Sequence, residues 1–535
     1  MSGRRMAIGG ALSLAVITGI VGYSHRHSVV DGLLAALAGL IAGAVAAFAF
    51  ALPGLTLRGL VIGLFFVTAG MLSWTYIDTG LVVWVCLAIE GVLFAVWSFP
   101  WLRDLARLPR LGAAWLGLAY WVLGVIGAAL VWHPVVAVER VAYAGVFGLA
   151  ALAVVATVRR RGAGDPTIGI TSAFLLAIAA LLASGSGNLF HSVHTVPGGP
   201  AGEAWAHHMQ HRFWGGSHLL YHPNSLAVIA VVVAARIGPS RRFPVWQRVC
   251  SLLLLGFILY MTNSRTGLVY TGMAALVHAF LLLKRRGADL PEYSTRRRTW
   301  LAIAAPFVIV VAVFVASGAT QFLLANRYGS STGNNSVEAV GTAVTSGRLQ
   351  TWKTVGREWW NAGFAEKAFG SANDARATVS GEGRTSAGVP PKLTTDNAAV
   401  GALRRGGVLG EIAFLAGLVM LLVHATVGPR LTSRRDDATG PRGAPAVDGA
   451  RFTAFTAGRL TPPAWFTATV IGAVPTIATA DWLLGGTGGT LWILLLAAEA
   501  FVVFGAFGAQ PGTPAETDSV ISAEPVASMR RTAQA

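Results

Sequence analysis

Three short segments of the sequence carry residues of the kinds that bind phosphate groups or move protons. They are Asn263-Ser264-Arg265-Thr266-Gly267 between two apolar runs, Arg348 at the start of segment 348–362, and Asp396-Asn397 before another apolar run. A guanidinium group suits a phosphate because it stays charged when desolvated and donates two parallel hydrogen bonds. A carboxylate at a helix start either caps the helix or acts as a base. The alternatives are snorkelling to lipid phosphates for Arg265 and capping alone for Asp396.

The segment from 185 to 222 holds seven of the twelve histidines of the chain. Glu203, His207 and His211 are spaced by four residues and would align on one helix face. The tight H-E-x-x-H pattern of a zinc site does not occur, so histidine-rich surface structure is favoured and no metal is predicted. The segment ends in His222-Pro223-Asn224, which is typical of a helix start.

The segment 348–362 predicts an amphipathic helix. Trp352, Val355, Trp359 and Trp360 recur at near-helical spacing. The simplest interpretation is a helix at the membrane surface with its tryptophans among the lipid headgroups.

The elements that position these residues are predicted to be membrane-spanning helices. The chain is 54% hydrophobic and only 12% charged, whereas soluble domains carry about a quarter charged residues. This composition excludes a soluble enzyme and a disordered chain. Apolar runs long enough to cross a bilayer recur, and they predict an all-α, polytopic membrane helix bundle. The fourteen predicted spans lie near 6–22, 29–52, 55–77, 80–99, 113–132, 138–158, 168–184, 218–237, 246–263, 265–283, 299–317, 396–426, 465–484 and 488–508.

The basic residues predict how these spans are oriented. The net charge of +17 would suggest nucleic acid in a soluble protein. Here most Lys and Arg residues fall in alternate connections, which indicates a cytoplasmic membrane protein with both termini inside and no nucleic-acid partner. The predicted regions are the N-terminal helices 1–184, the outer loop 185–217, the central helices 218–317, the large outer loop 318–395, the C-terminal helices 396–508 with an inner loop 427–464, and a disordered tail 509–535.

Taken in order, the motifs resemble those of a known superfamily. The chain contains H-P-N-S-L-A, then T-N-S-R-T-G-L, then G-R-x-x-x-W, F-G and D-N-x-x-x-x-x-L-R-R-G-G-V-L-G. This order is similar to that of the O-antigen ligase and polymerase superfamily, over about residues 215–425. The resemblance implies a GT-C-like bundle that moves a glycan from a polyprenyl diphosphate carrier onto a hydroxyl of an acceptor glycan or glycolipid. It implies no nucleotide sugar, cofactor or metal, and an active site on the outer face.

The resemblance also implies roles for individual residues. Arg265 and Arg348 correspond to the arginines thought to hold the diphosphate. The ligases usually have a histidine before the asparagine at the end of the loop, whereas this chain has Asp396 before Asn397, as polymerase-type members do.

The chemistry of transfer leads to the same assignment. Displacing a diphosphate needs stabilisation of the leaving charge and a base for the incoming hydroxyl. We therefore expect Arg265 and Arg348 to clamp the diphosphate, Asp396 to orient or deprotonate the acceptor, and Asn397 to hold it. Second-rank candidates for carrier or acceptor contacts are His222, Asn224, Arg212, Arg327, Arg404 and Arg405.

Two other classes of protein stay open from the sequence. Five ionisable residues fall within predicted spans: Glu90, Glu411, Asp481, Glu499 and His278. Such residues mark coupling sites in transporters, so a permease or a lipid-linked sugar flippase is the main alternative. Each residue could equally be neutral and hydrogen-bonded to a neighbouring helix. A peptidoglycan polymerase of the shape, elongation, division and sporulation type is the other, because such enzymes also place an aspartate in a large outer loop.

Overall fold

The computed structural model of the protein describes a part of the chain that is almost entirely helical. The described residues are 3–72, 88–89, 91–93, 95–96, 99, 111–130, 141, 166–184, 223–240, 242–262, 264–284, 348–370, 378–380, 392–394, 397–428, 462–478, 482 and 487–508. Within this part a single pair of three-residue strands departs from the predicted all-α fold. Thr378 pairs with Thr394 and Ser380 with Lys392 in antiparallel register.

The helices begin and end close to the predicted apolar runs. In chain order the elements are α1 Gly3–Arg26, α2 Val29–Phe50, α3 Leu57–Leu72, α4 Gly112–Gly117, a π-helical turn Leu118–Val122, α5 Leu123–Leu130, α6 Pro166–Ser184, α7 Pro223–Ile237, α8 Val245–Thr262, α9 Arg265–Lys284, α10 Arg348–Asn361, α11 Phe364–Phe369, β1 Thr378–Ser380, β2 Lys392–Thr394, α12 Ala398–Thr426, α13 Ala464–Ala473 with a 3₁₀ turn Val474–Ala478, and α14 Thr487–Gly508.

Four described helical segments are long and apolar enough to cross a membrane, by their length and composition. They are Val29–Phe50, Thr167–Ser184, Val245–Thr262 and Ala398–Thr426. The prediction of a helical membrane protein is confirmed in this form. The count of fourteen spans and the GT-C-like arrangement stay predictions, and the spans near 80–99, 138–158 and 299–317 lie largely or wholly outside the described residues.

Helix α7 lies at the centre of the described bundle. Every described side chain from Asn224 to Ile237 is buried, and α7 contacts α6, α8, α9, α13 and α14. A helix that is largely apolar on all sides is typical of a protein core or a membrane span, and here other helices cover it. The helices around it approach closely at small residues; for example, a Cβ on Gly63 of α3 would overlap the backbone of Gly169 in α6.

Side-chain hydrogen bonds join helix ends to which the sequence assigned the same side of the membrane. On the predicted inner side, Gln247 Nε2 donates to the Ala51 carbonyl over 2.7 Å, and Thr467 Oγ1 donates to the Ala425 carbonyl over 2.7 Å. On the predicted outer side, α7 and α9 meet at their N-termini. Each of these bonds therefore joins two helix ends on the same side of the bundle, as spans that alternate in direction require. The cellular side of each end stays a prediction.

Candidate functional site

A buried hydrogen bond joins the H-P-N-S motif to the N-S-R-T-G motif, although forty residues separate them. Ser264 Oγ donates to Asn224 Oδ1 over 2.9 Å, and both side chains are buried. The same hydroxyl accepts from the Gly267 N–H over 3.0 Å, so it caps the N-terminus of α9. Asn224 was predicted as a helix-start residue, and the structure adds that it fixes the start of the neighbouring helix.

Gly267, the glycine of the N-S-R-T-G motif, allows α7 and α9 to approach each other closely. A Cβ on Gly267 would overlap Ala227 Cβ of α7 and a methyl group of Leu259 in α8. Arg265 is the first residue of α9, so it directly follows the hydroxyl that caps the helix.

The D-N motif, Asp396-Asn397, directly precedes helix α12. Asn397 is the N-cap of this helix and is 9% exposed. Its Oδ1 accepts from the N–H groups of Ala399 and Val400 over 3.0 and 3.1 Å. The cap considered for Asp396 is therefore supplied by Asn397, while Asp396 lies outside the described residues. Because Oδ1 is engaged by the helix, the amide NH₂ is the group of Asn397 that can hold a substrate.

Helix α12 is broken immediately after two buried arginines. Arg404 is 8% exposed and Arg405 is fully buried, and Arg405 Nη1 lies 3.5 Å from the Gly401 carbonyl oxygen. At Gly407 the backbone leaves the helical region, with φ 63° and ψ −160°. These angles are essentially restricted to glycine. The sequence predicted one continuous span, 396–426, and the structure corrects this to a kinked helix.

A segment of the large outer loop docks on this kink, backbone against backbone. A Cβ on Gly370 would overlap the Arg405 carbonyl, and a Cβ on Gly407 would overlap Ala368. On the other side of the kink, a Cβ on Gly406 would overlap the Ala119 carbonyl, which lies in the π-helical turn after α4. Irregular helical turns of this kind are frequent at functional sites.

The predicted helix 348–362 is confirmed as α10, but its apolar face has a different environment. Val355 is 1% exposed, and α10 contacts α11, α12 and both strands. Trp359 Nε1 donates to the Lys367 carbonyl over 3.2 Å. The structure therefore gives Trp359 a packing role between α10 and α11, and the headgroup contact of the tryptophans stays a prediction. Arg348 is the first residue of α10.

The described residues thus form two groups of candidate positions. Helices α7 and α9 carry Asn224 and Arg265, whereas α10, α11 and α12 carry Arg348, Asn397 and the arginine pair. Helix α13 contacts α7, α9 and α12, and no contact of similar extent joins α9 to α10 within the part of the chain that is described. His222, Arg212 and Arg327 lie outside the described residues.

Glu499 has hydrogen-bond partners on two neighbouring helices that no sequence motif identifies. This residue is fully buried, and its two carboxylate oxygens accept from the N–H groups of Gly112 and Ala113, each over 2.8 Å. His424 Nδ1 lies 2.6 Å from Oε1. The carboxylate therefore caps α4 from α14 and joins it to the end of α12. No local pattern could indicate this, since 387 residues separate Gly112 from Glu499.

Of the other four ionisable residues of the predicted spans, two lie outside the described residues and two lie within them. Glu90 and Asp481 lie outside the described residues. Glu411 is half-buried. His278 is 6% exposed, and neither of its ring nitrogens has a hydrogen-bond partner among the residues that are described.

Comparisons with known proteins leave the function to be argued from these residues. No family model matches the chain, and the comparisons with curated proteins and with solved structures find no match.

Proposed function

We propose that the protein transfers or polymerises glycan from a polyprenyl diphosphate carrier onto a sugar hydroxyl at the outer face of the cytoplasmic membrane. The acceptor oxygen attacks the anomeric carbon, and the bond from that carbon to the diphosphate oxygen breaks. The bonding electrons leave with the diphosphate, whose charge Arg265 and Arg348 stabilise. The hydroxyl proton goes to the Asp396 carboxylate.

The observation that carries this proposal is the hydrogen bond from Ser264 to Asn224. It joins the H-P-N-S and N-S-R-T-G motifs at the adjacent N-termini of α7 and α9. A diphosphate-binding arginine needs a fixed backbone, and a buried side-chain bond between two helices provides one. These two motifs are therefore neighbours in space as well as in order, while Arg348 and Asn397 belong to the second group of candidate positions.

The kink in α12 supports the same proposal. Membrane enzymes and transporters that bind polar substrates use interrupted helices beside the binding site. Here the helix is interrupted at Gly407, which follows Arg404 and Arg405 and lies ten residues after Asn397. The outer loop docks on this kink. A large outer loop packed on a broken span suits a substrate that arrives from the outer leaflet.

The environment of Glu499 weakens the argument for a permease. A coupling carboxylate must exchange its proton or ion, and Glu499 is one of the five ionisable residues within the predicted spans. Its oxygens instead accept from two backbone N–H groups and meet His424. Such a carboxylate has a structural role in holding helices together, which leaves Glu90, Glu411, Asp481 and His278 as the candidates for coupling.

The clamp is tested by transfer from a synthetic polyprenyl diphosphate oligosaccharide in liposomes. We expect Arg265→Ala and Arg348→Ala each to lower the rate by ~10²–10³-fold, because each removes one donor to the leaving diphosphate. Arg242→Ala is the matched control, since Arg242 is an exposed arginine next to Gly54, on the predicted inner side. Full activity in a well-folded Arg265→Ala protein would defeat the clamp.

The type of transfer is tested by mass analysis of polyprenyl-linked glycans after deletion of the gene. Build-up of single units would indicate a polymerase, and build-up of long chains would indicate a ligase. An unchanged glycan pool would contradict the proposed function.

A further inference from the structure

Two aromatic side chains project from the outer-loop helices. Trp360 is 71% exposed and Phe364 is 87% exposed. Exposed apolar side chains on a membrane span face lipid, but these two belong to α10 and α11 within the loop. They lie on either side of the short turn between the helices, where the Ala362 N–H donates to the Trp359 carbonyl.

Three cationic residues share helix faces with these two aromatic side chains. Lys353 and Arg357 are exposed and precede Trp360 by seven and three residues, so all three share one face of α10. Lys367 Nζ lies 5.9 Å from the centroid of the Trp360 ring, and Lys367 shares one face of α11 with Phe364. We call the five residues Lys353, Arg357, Trp360, Phe364 and Lys367 the aromatic platform.

The aromatic platform is held rigidly against the candidate site. The hydrogen bond from Trp359 Nε1 to the Lys367 carbonyl joins α10 to α11. At its other end α11 leads into Gly370, which packs against the backbone of Arg405. A surface fixed in this way orders little when a ligand binds, which favours affinity.

The chemistry of the aromatic platform fits a sugar chain that carries negative charge. The face of an indole ring is apolar and bears partial negative charge, so it suits the C–H face of a pyranose ring. The neighbouring lysine and arginine side chains suit carboxylates. Resting on the proposed function, we propose that the aromatic platform binds an acidic glycan, of the uronic-acid type, as the saccharide part of the donor or the acceptor.

A membrane surface is a less suitable partner for this face. An interfacial helix buries its apolar side in the headgroup region, but the apolar side of α10 packs on the protein through Val355. The opposite side of α10 carries Lys353, Arg357 and Trp360, all of them exposed.

The test is direct binding by the full-length protein in nanodiscs of zwitterionic lipid. The probes are oligogalacturonate of defined length and a neutral dextran oligosaccharide of equal length, measured by calorimetry. We expect the acidic probe to bind in preference to the neutral one. Trp360→Ala and Lys367→Ala should each weaken binding by about tenfold, whereas Trp360→Phe, which keeps a ring, should bind within about threefold of the parent.

The matched control is Trp246→Ala, which removes a tryptophan that is 50% exposed at the start of α8. This variant should bind oligogalacturonate like the parent. Equal binding of both probes, absence of binding, or an unaffected Trp360→Ala variant would overturn the proposal. So would quenching by brominated lipids that is stronger in the parent than in Trp360→Phe, because that difference would place the Trp360 ring in the membrane. Arg265→Ala should keep oligogalacturonate binding while losing transfer, so failure of the aromatic platform and failure of the proposed function give different results.

Discussion

At the scale of single residues, local patterns predicted positions better than partners. The sequence identified Asn224 as a helix-start residue, and the structure confirms a helix that begins at Pro223. It did not predict that Ser264 donates to Asn224, because that bond depends on how α7 and α9 pack. The same holds for Asn397, whose place before an apolar run was evident but whose Oδ1 bonds to two N–H groups were not.

These bonds allow the two roles of Asn397 to be separated by substitution. Asn397→Asp keeps an oxygen for the Ala399 and Val400 N–H groups but removes the amide NH₂. We expect it to unfold at nearly the temperature of the parent and to lose transfer activity. Asn397→Ala should lose activity and also about 1 kcal/mol of stability. Thermal unfolding in detergent and the liposome assay measure the two effects, and a fully active Asn397→Asp protein would exclude a role for the amide in holding the acceptor.

At the scale of elements, the apolar runs predicted where helices lie and missed where one breaks. Helix α8 was expected at 246–263 and spans Val245–Thr262, since helix length follows from local hydropathy. The kink at Gly407 was hidden inside an apolar run, because two adjacent glycines lower helix stability without fixing the backbone angles. The docking of α11 is what selects those angles.

The kink therefore predicts a sensitivity to small side chains. Gly370 and Gly407 have φ values of 91° and 63°, and a Cβ on either would meet backbone atoms of the other segment. Gly407→Ala should cost at least about 1–3 kcal/mol of stability, measured by thermal unfolding. Gly356→Ala is the matched control, because its Cβ would meet nothing within 4 Å and alanine favours the helix. Equal stability of the two variants would contradict the docked geometry.

At the scale of the whole molecule, one buried carboxylate joins three helices that are distant in the sequence. Glu499 on α14 accepts from the first N–H groups of α4 and meets His424 near the end of α12. Trp492 of α14 adds a hydrogen bond from Nε1 to the Ala113 carbonyl. This contact keeps the C-terminal end of α12 in place, while Asn397 and the arginine pair lie at its N-terminal end. A sequence pattern cannot reveal it, because its partners share no local spacing.

Glu499→Gln therefore distinguishes a structural carboxylate from a coupling one. Glutamine has one oxygen where two N–H groups require acceptors, and it removes the charge opposite the helix N-terminus. We expect a loss of at least about 3 kcal/mol of stability, with transfer activity falling in proportion to the folded fraction. Glu358→Gln, at an exposed position on α10, should unfold like the parent. A Glu499→Gln protein with unchanged unfolding but abolished function would mean that the carboxylate acts in proton or ion coupling, which would favour the permease over the transferase.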